Sequence, residues 1–138
     1  MDATYTAKAS STGDARNGRV DSSDGQLSHE VAMPPQLGGT GKGTNPEQLF
    51  AAGYAACFHQ ALKLAAGQEK VDVRGSSVDA AVGIGPDETS FAIQVQLTAH
   101  MPGLDQATAD TLAEKAHQLC PYSKALHGNV PVQVTATV

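Results

Sequence analysis

The sequence has no tryptophan, and only 4% of its 138 residues are aromatic. Aliphatic side chains must therefore supply most of the packing in any core. Basic residues are also scarce, because 9 lysines and arginines stand against 14 acidic residues, for a formal net charge of -5. A nucleic-acid-binding surface needs clustered basic groups that replace counterions, and a polybasic membrane anchor needs the same. The composition argues against both kinds of partner.

Long apolar runs are absent as well. The longest run, residues 49–58, is about half as long as the roughly 20 residues that a membrane-spanning helix needs. The first residues carry neither the basic segment nor the apolar segment of a secretory signal. We therefore expect a cytoplasmic protein with no membrane partner, in a compartment that keeps thiols reduced.

Cysteine is rare too. The chain has 2 cysteines, which are too few for a disulfide scaffold or for a zinc site of four thiolates. Its 5 histidines do not stand at the spacings of a metal site, such as H-x-x-x-H. The glycine-rich stretch 38–43 contains Lys42 but lacks the G-K-[ST] ending of a phosphate-binding loop. We expect neither a bound cofactor nor a metal.

A single domain is expected over residues 1–138, because the length is typical of one domain and no linker divides the chain. Patterns of polar and apolar residues predict the following elements in order: strands within 3–33, a glycine-rich loop over 34–44, a helix from about 45 to 66, strands over 71–85 and 91–101, a helix over 105–120, and a strand over 130–138. Hairpins dominate this order, which is typical of an α+β fold with a mainly antiparallel sheet.

The first predicted helix has two overlapping start signals. Thr44 with Glu47 matches a capping box, and Asn45 with Pro46 matches an N-cap followed by proline at the first helical position. Lys63 is the only charged residue in the body of this helix. A helix so apolar on all sides is typical of the centre of a fold, so we expect it to be long, central and buried. Spacings of three and four residues predict one buried stripe: Phe50, Gly53, Ala56, Cys57, Ala61 and Leu64.

The two cysteines have two possible roles. Cys57 lies in the middle of the first helix, and Cys120 ends the second helix 63 positions later. Both could be buried small apolar residues, since free cysteine is among the most buried residue types. Alternatively, they could form a redox pair in which one thiolate reacts and the other thiol resolves it. Neither cysteine belongs to a C-x-x-C motif, so the thioredoxin signature is absent.

Four motifs, in chain order, resemble those of one protein family. Residues 44–58 read T-N-P-E-Q-L-F-A-A-G-Y-A-A-C-F, and residues 120–123 read C-P-Y-S, followed by Gly128-Asn129. The other two motifs are Leu37-Gly38-Gly39 and Arg16-Asn17-Gly18. Together they resemble the organic hydroperoxide resistance branch of the osmotically inducible protein C superfamily, over essentially the whole chain. The sister branch, the osmotically inducible type, is the alternative. The first branch is favoured by Phe50, Gly53, Tyr54 and Tyr122.

This resemblance implies a redox role for the cysteines. Cys57 would attack an organic hydroperoxide as a thiolate, release an alcohol and become a sulfenic acid, with which Cys120 would condense to give a disulfide. An external dithiol of the lipoyl type, dihydrolipoamide or a lipoylated protein, would then reduce the disulfide. The rival hypothesis is a non-catalytic protein that binds apolar or thiol ligands and whose cysteines are buried and inert.

The resemblance also implies two charged site residues. Burial in an apolar helix disfavours a thiolate, so a cation must offset that burial. The arginine of the family maps onto Arg16, and its glutamate maps onto Glu47, which would hold the guanidinium through two hydrogen bonds. Asp14 and Ala15 stand where the family usually has a glycine pair. Arg19 is the alternative to Arg16.

Helix geometry separates Glu47 from Cys57. Ten residues of a straight helix span about 15 Å, and their ends differ by roughly 80° in direction. One chain's Glu47 is therefore not expected to serve its own Cys57. We expect Arg16 and Glu47 to be donated across the twofold axis of an intertwined homodimer.

An apolar pocket is expected beside the attacking sulfur. Its predicted walls are Met33, Leu37, Phe50, Phe58 and Tyr122. Such walls predict a preference for alkyl and lipid-like hydroperoxides over hydrogen peroxide. Because Tyr122 lies close to Cys120 in the sequence, we also expect it to position the resolving segment.

Overall fold

The computed structural model describes all 138 residues. The chain forms two compact units, Met1–Leu49 and Phe50–Val138. They contain two three-stranded sheets and three α-helices, and three of the four strand pairings are antiparallel. The predicted α+β class is therefore confirmed. The single domain over 1–138, the central position of the first helix and the intertwined dimer stay predictions.

The first unit is built on an antiparallel sheet of strands β1 (Ala9–Thr12), β2 (Arg19–Ser22) and β3 (Ser28–Glu30), in that spatial order. Strands β2 and β3 form a hairpin, because they pair on either side of a turn at Asp24-Gly25. Gly25 supplies the positive φ of 75° that such a turn favours. The strands cover less of 3–33 than the alternation of residues predicts.

The glycine-rich segment 34–44 is a loop, as predicted, apart from a short 3-10 turn over Pro35–Leu37. It folds back closely on the chain before it: a Cβ at Gly39 would collide with the carbonyl oxygen of Met33. Thr44 closes the loop through an isolated bridge to Val31. The close backbone approach at residue 39 therefore requires glycine.

Helix α1 (Pro46–Glu69) starts at the second of its two signals. The side-chain oxygen of Asn45 accepts a hydrogen bond of 2.8 Å from the backbone N–H of Gln48, so Asn45 is the N-cap. The capping box predicted for Thr44 and Glu47 is wrong, because the N-cap lies one residue later than that box requires. The helix continues three residues past its predicted end at 66.

The second unit holds most of α1 and the sheet of strands β4 (Ser77–Pro86), β5 (Phe91–His100) and β6 (Val132–Thr137), in that order. Helices α2 (Gln106–Leu119) and α3 (Pro121–Leu126) connect β5 to β6, which pair in parallel. This parallel pair was not predicted. The strand predicted from residue 71 begins at Ser77 instead, because the chain turns at Gly75 with a φ of 79°.

The core of the second unit lies between α1, α2 and one face of β5. Its buried side chains are Tyr54, Phe58, Ala61, Leu62, Ala65, Ala66, Val95, Leu97, Ala99, Met101, Ala109, Leu112, Ala113, Ala116 and Cys120. The predicted stripe of α1 is correct at Ala61, and Phe50 and Cys57 pack against this core. It is wrong at Ala56 and Leu64, which are exposed. No helix is long and apolar enough to cross a membrane.

The chain just before Arg16 is strained. Ala15 has a φ of 47°, in the left-handed region, where a residue with a Cβ is disfavoured by about 1–2 kcal/mol. Glycine removes this penalty but loses about 0.4–1 kcal/mol through the greater freedom of the unfolded chain. We expect Ala15→Gly to raise the free energy of unfolding by about 0.5–1 kcal/mol, as measured by denaturant titration.

Ala9→Gly is the matched control, because Ala9 lies in the extended strand β1. This substitution should lower stability by about 0.5–1 kcal/mol. Equal effects of the two substitutions would contradict the assignment of strain to position 15.

Candidate active site

The two cysteine side chains face each other within the second unit. Cys57 lies in the middle of α1, and Cys120 lies between α2 and α3. Their Sγ atoms are 3.6 Å apart, and both thiols are free. Cys120 is completely buried, whereas Cys57 is partly exposed. Of the two cysteines, Cys57 is therefore the one with surface exposed to solvent.

The break between α2 and α3 brings Cys120 to this position. The N–H of Cys120 donates a 2.8 Å hydrogen bond to the carbonyl of Ala116, which closes α2. Its own carbonyl accepts a 3.0 Å hydrogen bond from the N–H of Lys124, which opens α3. Pro121 is the first residue of α3, where the missing N–H of proline does no harm.

The reduced pair favours a neutral thiol at Cys57. Burial raises the pKa of the Cys57 thiol above its ordinary value, and the neighbouring Cys120 raises this pKa further. The backbone N–H of Tyr122 acts in the opposite direction and lowers the pKa. A nucleophilic role for Cys57 would therefore need a nearby positive charge that stabilises its thiolate.

Three aromatic side chains form a cluster on the elements that carry the cysteines. The rings of Phe50 and Tyr122 are nearly parallel, with an interplanar angle of 11° and centroids 5.9 Å apart. Tyr54 lies 5.8 Å from Phe50 and 5.6 Å from Tyr122, tilted against both. Gly53 leaves room for this packing, because a Cβ there would lie 3.3 Å from the hydroxyl of Tyr122. The cluster gives the site an apolar wall.

A buried hydroxyl near Cys120 was not singled out by sequence reasoning. Ser123 Oγ lies 2.8 Å from the hydroxyl of Tyr54 and 2.9 Å from Nδ1 of His117. Ser123 is 3% exposed, and Tyr54 is completely buried. The only sequence signal was that Ser123 belongs to the C-P-Y-S motif, which indicates neither Tyr54, 69 residues away, nor His117 on the other side of the helix break as its partner.

Arg16 and Glu47 pair within the first unit. Nη1 of Arg16 donates to one carboxylate oxygen at 3.1 Å, and Nη2 donates to the other at 2.9 Å. This pairing lowers the pKa of Glu47 and raises the pKa of Arg16. Arg19, the alternative, binds Asp21 and Glu30 instead. The two-pronged pair expected for Arg16 is present, and its catalytic role stays a prediction.

The predicted pocket walls occupy different environments. Phe50 and Tyr122 lie in the aromatic cluster, whereas Phe58 has no exposed surface and belongs to the core. Met33 and Leu37 are half-buried residues of the first unit. The structure contains no group of three or more histidine, cysteine or acidic residues that could hold a metal ion.

The pKa of Cys57 should respond to its partner thiol. Cys120→Ser removes the contribution by which Cys120 raises this pKa. We therefore expect the variant to have a lower Cys57 pKa than the wild type. The measurement is the pH dependence of iodoacetamide alkylation, read at the Cys57 peptide by mass spectrometry, with Cys57→Ser as the control that reports Cys120 alone. A midpoint equal to or above that of the wild type would contradict the assigned cause.

Comparisons with known proteins agree on one family. The family model described as "OsmC-like protein" matches residues 39–135. An organic hydroperoxide resistance protein of Xanthomonas axonopodis pv. citri (strain 306) is 52% identical over 133 residues, which are 95% of this chain and 93% of that protein. OhrB of Bacillus subtilis (strain 168), also named an organic hydroperoxide resistance protein, is 42% identical over 134 residues, 96% of this chain and 97% of that protein.

A solved structure has the same fold. The crystal structure of an organic hydroperoxide resistance protein from Legionella pneumophila matches with a TM-score of 0.94 and 46% identity, and the match covers 99% of this chain and 100% of that chain. The resemblance seen in the motifs is therefore confirmed over the whole chain. The protein belongs to the OsmC-like family, and its similar relatives carry a role in organic hydroperoxide resistance in their names.

Proposed function

We propose that this protein is a thiol peroxidase that reduces organic hydroperoxides to alcohols. The observation that carries the proposal is the 3.6 Å contact between the Sγ atoms of Cys57 and Cys120. Two inert apolar cysteines would not need to meet, whereas a reacting thiol and its resolving thiol must. The names of the relatives support the same role, since they are organic hydroperoxide resistance proteins.

The reaction has two steps. In the first, the thiolate of Cys57 attacks the terminal oxygen of the hydroperoxide, the O–O bond breaks, and the alkoxide takes up a proton and leaves as an alcohol. Cys57 is then a sulfenic acid. In the second, the sulfur of Cys120 attacks the sulfur of Cys57, the S–O bond breaks, and the hydroxide leaves as water with the proton from Cys120. The product is an intramolecular disulfide.

The first step needs a thiolate, and burial opposes it. We propose that the guanidinium of Arg16, held by Glu47, offsets this burial. The two hydrogen bonds to Glu47 do not use all the N–H groups of the Arg16 guanidinium, so the others can contact a second anion. Because Glu47 and Cys57 are about 15 Å apart along α1, we propose that the pair acts on Cys57 of the partner chain in a homodimer.

The apolar wall supports a substrate with an organic group. The stacked rings of Phe50 and Tyr122 offer contact to an alkyl chain beside the reacting oxygen, and hydrogen peroxide has nothing to place there. Alkyl and lipid-like hydroperoxides are therefore the proposed substrates. The proposed reductant of the disulfide is a dithiol such as dihydrolipoamide or a lipoylated protein. The proposed location is the cytoplasm, and no bound cofactor takes part in the proposed reaction.

Two alternatives remain open to experiment. The osmotically inducible branch would use the same chemistry on a different range of peroxides. A non-catalytic protein that binds apolar or thiol ligands would keep both thiols reduced in the presence of peroxide. Partial exposure of Cys57 favours the catalytic proposals, because an inert thiol has no need of access.

Peroxide consumption tests the proposal. With cumene hydroperoxide and excess dihydrolipoamide, the wild type should turn over, Cys57→Ser should lose activity, and Cys120→Ser should complete one turnover without the resolving step. Hydrogen peroxide should react much more slowly than cumene hydroperoxide. If the wild type shows no turnover and both of its thiols remain titratable, the protein is a binder rather than a peroxidase.

Mixed dimers test the shared site. Arg16→Ala and Cys57→Ser chains, each inactive alone, are refolded together in equal amounts. If the pair serves the partner's cysteine, half of the dimers contain one complete site out of two, and activity should return to about a quarter of the wild type. A mixture as inactive as its parents would contradict the shared site but not the peroxidase.

A further inference from the structure

One buried hydroxyl joins the three helices of the site. Ser123 on α3 lies within hydrogen-bond distance of Tyr54 on α1 and of His117 on α2. No buried side-chain nitrogen or oxygen in the protein lacks a hydrogen-bond partner, so these groups satisfy one another. Buried polar groups that satisfy each other fix the relative position of the elements that carry them.

The spacing of these residues ties the hydroxyl to the cysteines. Tyr54 precedes Cys57 by three residues on α1, and Ser123 follows Cys120 by three residues at the start of α3. The hydrogen bond between Tyr54 and Ser123 therefore runs beside the contact between the two sulfur atoms, about one helical turn away. His117, which precedes Cys120 by three residues, contacts the same hydroxyl.

We propose that Ser123 is a positioning residue for closure of the Cys57–Cys120 disulfide. This inference rests on the proposed peroxidase function for its biological meaning. The hydroxyl holds the junction of α2 and α3 against α1, so that the Cys120 thiol stays within reach of the Cys57 sulfur. It takes no part in the attack of Cys57 on the hydroperoxide.

Loss of the hydroxyl leaves the completely buried hydroxyl of Tyr54 without its partner. In Ser123→Ala, this hydroxyl must find water or a new partner, which requires α1 and α3 to move apart, and the half-buried His117 loses its contact with α3. A displacement near 1 Å is enough to slow a reaction about a hundredfold when two groups must meet in one geometry. The second chemical step is therefore the sensitive one.

Further oxidation of Cys57 competes with disulfide closure, so slower closure can be measured from its products. When closure is slow, the sulfenate of Cys57 has time to attack a second hydroperoxide. Its sulfur takes the terminal oxygen, the O–O bond breaks, a second alcohol leaves, and a sulfinate forms. The ratio of disulfide to sulfinate thus reports the position of Cys120, whereas a general loss of activity would not change it.

The experiment follows both steps by quenched flow and intact-mass spectrometry after addition of cumene hydroperoxide. Ser123→Ala should close the disulfide about ten- to a hundredfold more slowly, change the rate of sulfenic acid formation far less than this, and accumulate sulfinate. Tyr54→Phe, which removes only a hydroxyl, should behave in the same way, and the double variant should be no worse than either single variant.

Ser76→Ala is the matched control. Ser76 also hydrogen-bonds to a histidine, with its Oγ 3.0 Å from Nε2 of His59, but it lies outside all three helices. This variant should close the disulfide at the rate of the wild type. Far-ultraviolet circular dichroism checks the folding of each variant, and Tyr54→Phe decides the question if Ser123→Ala does not fold.

A parallel arm separates this proposal from the peroxidase function. Diamide accepts two electrons and two protons from a pair of thiols and leaves a disulfide, so it needs no peroxide site. Ser123→Ala should also slow closure with diamide. If the wild type fails to react with the hydroperoxide, the peroxidase proposal fails and the diamide arm alone decides the role of Ser123. Closure at the wild-type rate, or equal slowing of both peroxide steps, would overturn it.

Discussion

The contact between the two sulfur atoms depends on the break in the chain at Cys120 and Pro121. Proline cannot donate to the carbonyl of a preceding turn, so α2 ends and α3 starts in a new direction. Cys120 lies at the corner, with its backbone bonded into both helices. In a continuous helix, the helical repeat would fix the direction of this side chain. The break between α2 and α3 instead directs it towards Cys57 on α1.

Burial of the two cysteines has two opposite effects on the site. The apolar surroundings keep the two thiols together and hold Cys120 away from solvent, but they also raise the pKa of Cys57. We propose that the arginine–glutamate pair of the first unit offsets this effect and stabilises the thiolate. Arg16 keeps its charge at any physiological pH, and Glu47 fixes its orientation through two hydrogen bonds. In the proposed function, the aromatic cluster would offer the substrate an apolar surface.

Sequence patterns predicted the elements well where a single physical rule decided them. The alternation in β5 and the start of α2 at Asp105, whose side chain accepts a hydrogen bond from the N–H of Thr108, are both present. The phase of α1 was wrong at Ala56 and Leu64, because alanine on every face gives no clear polar side. The hairpins did not reveal that β6 would pair in parallel with β5.

The chemistry of the site was only partly readable in the sequence. The motifs pointed to both cysteines and to Arg16 and Glu47, but 63 residues separate the cysteines, and no local rule predicts that their sulfur atoms meet. Ser123 was missed because its partners lie 69 residues and 6 residues away in the sequence. Such contacts arise from the packing of three helices, which residue spacing alone does not describe.

The central claim is that Cys57 and Cys120 act together as the reductant of an organic hydroperoxide. The most direct test adds cumene hydroperoxide, equimolar with the chain, to the fully reduced protein without any external thiol. Free thiols, cumyl alcohol and the disulfide-linked peptides are then measured in the same sample. The account predicts that both thiols disappear, that one alcohol forms per chain, and that Cys57 is joined to Cys120. Intact peroxide beside two titratable thiols would contradict it.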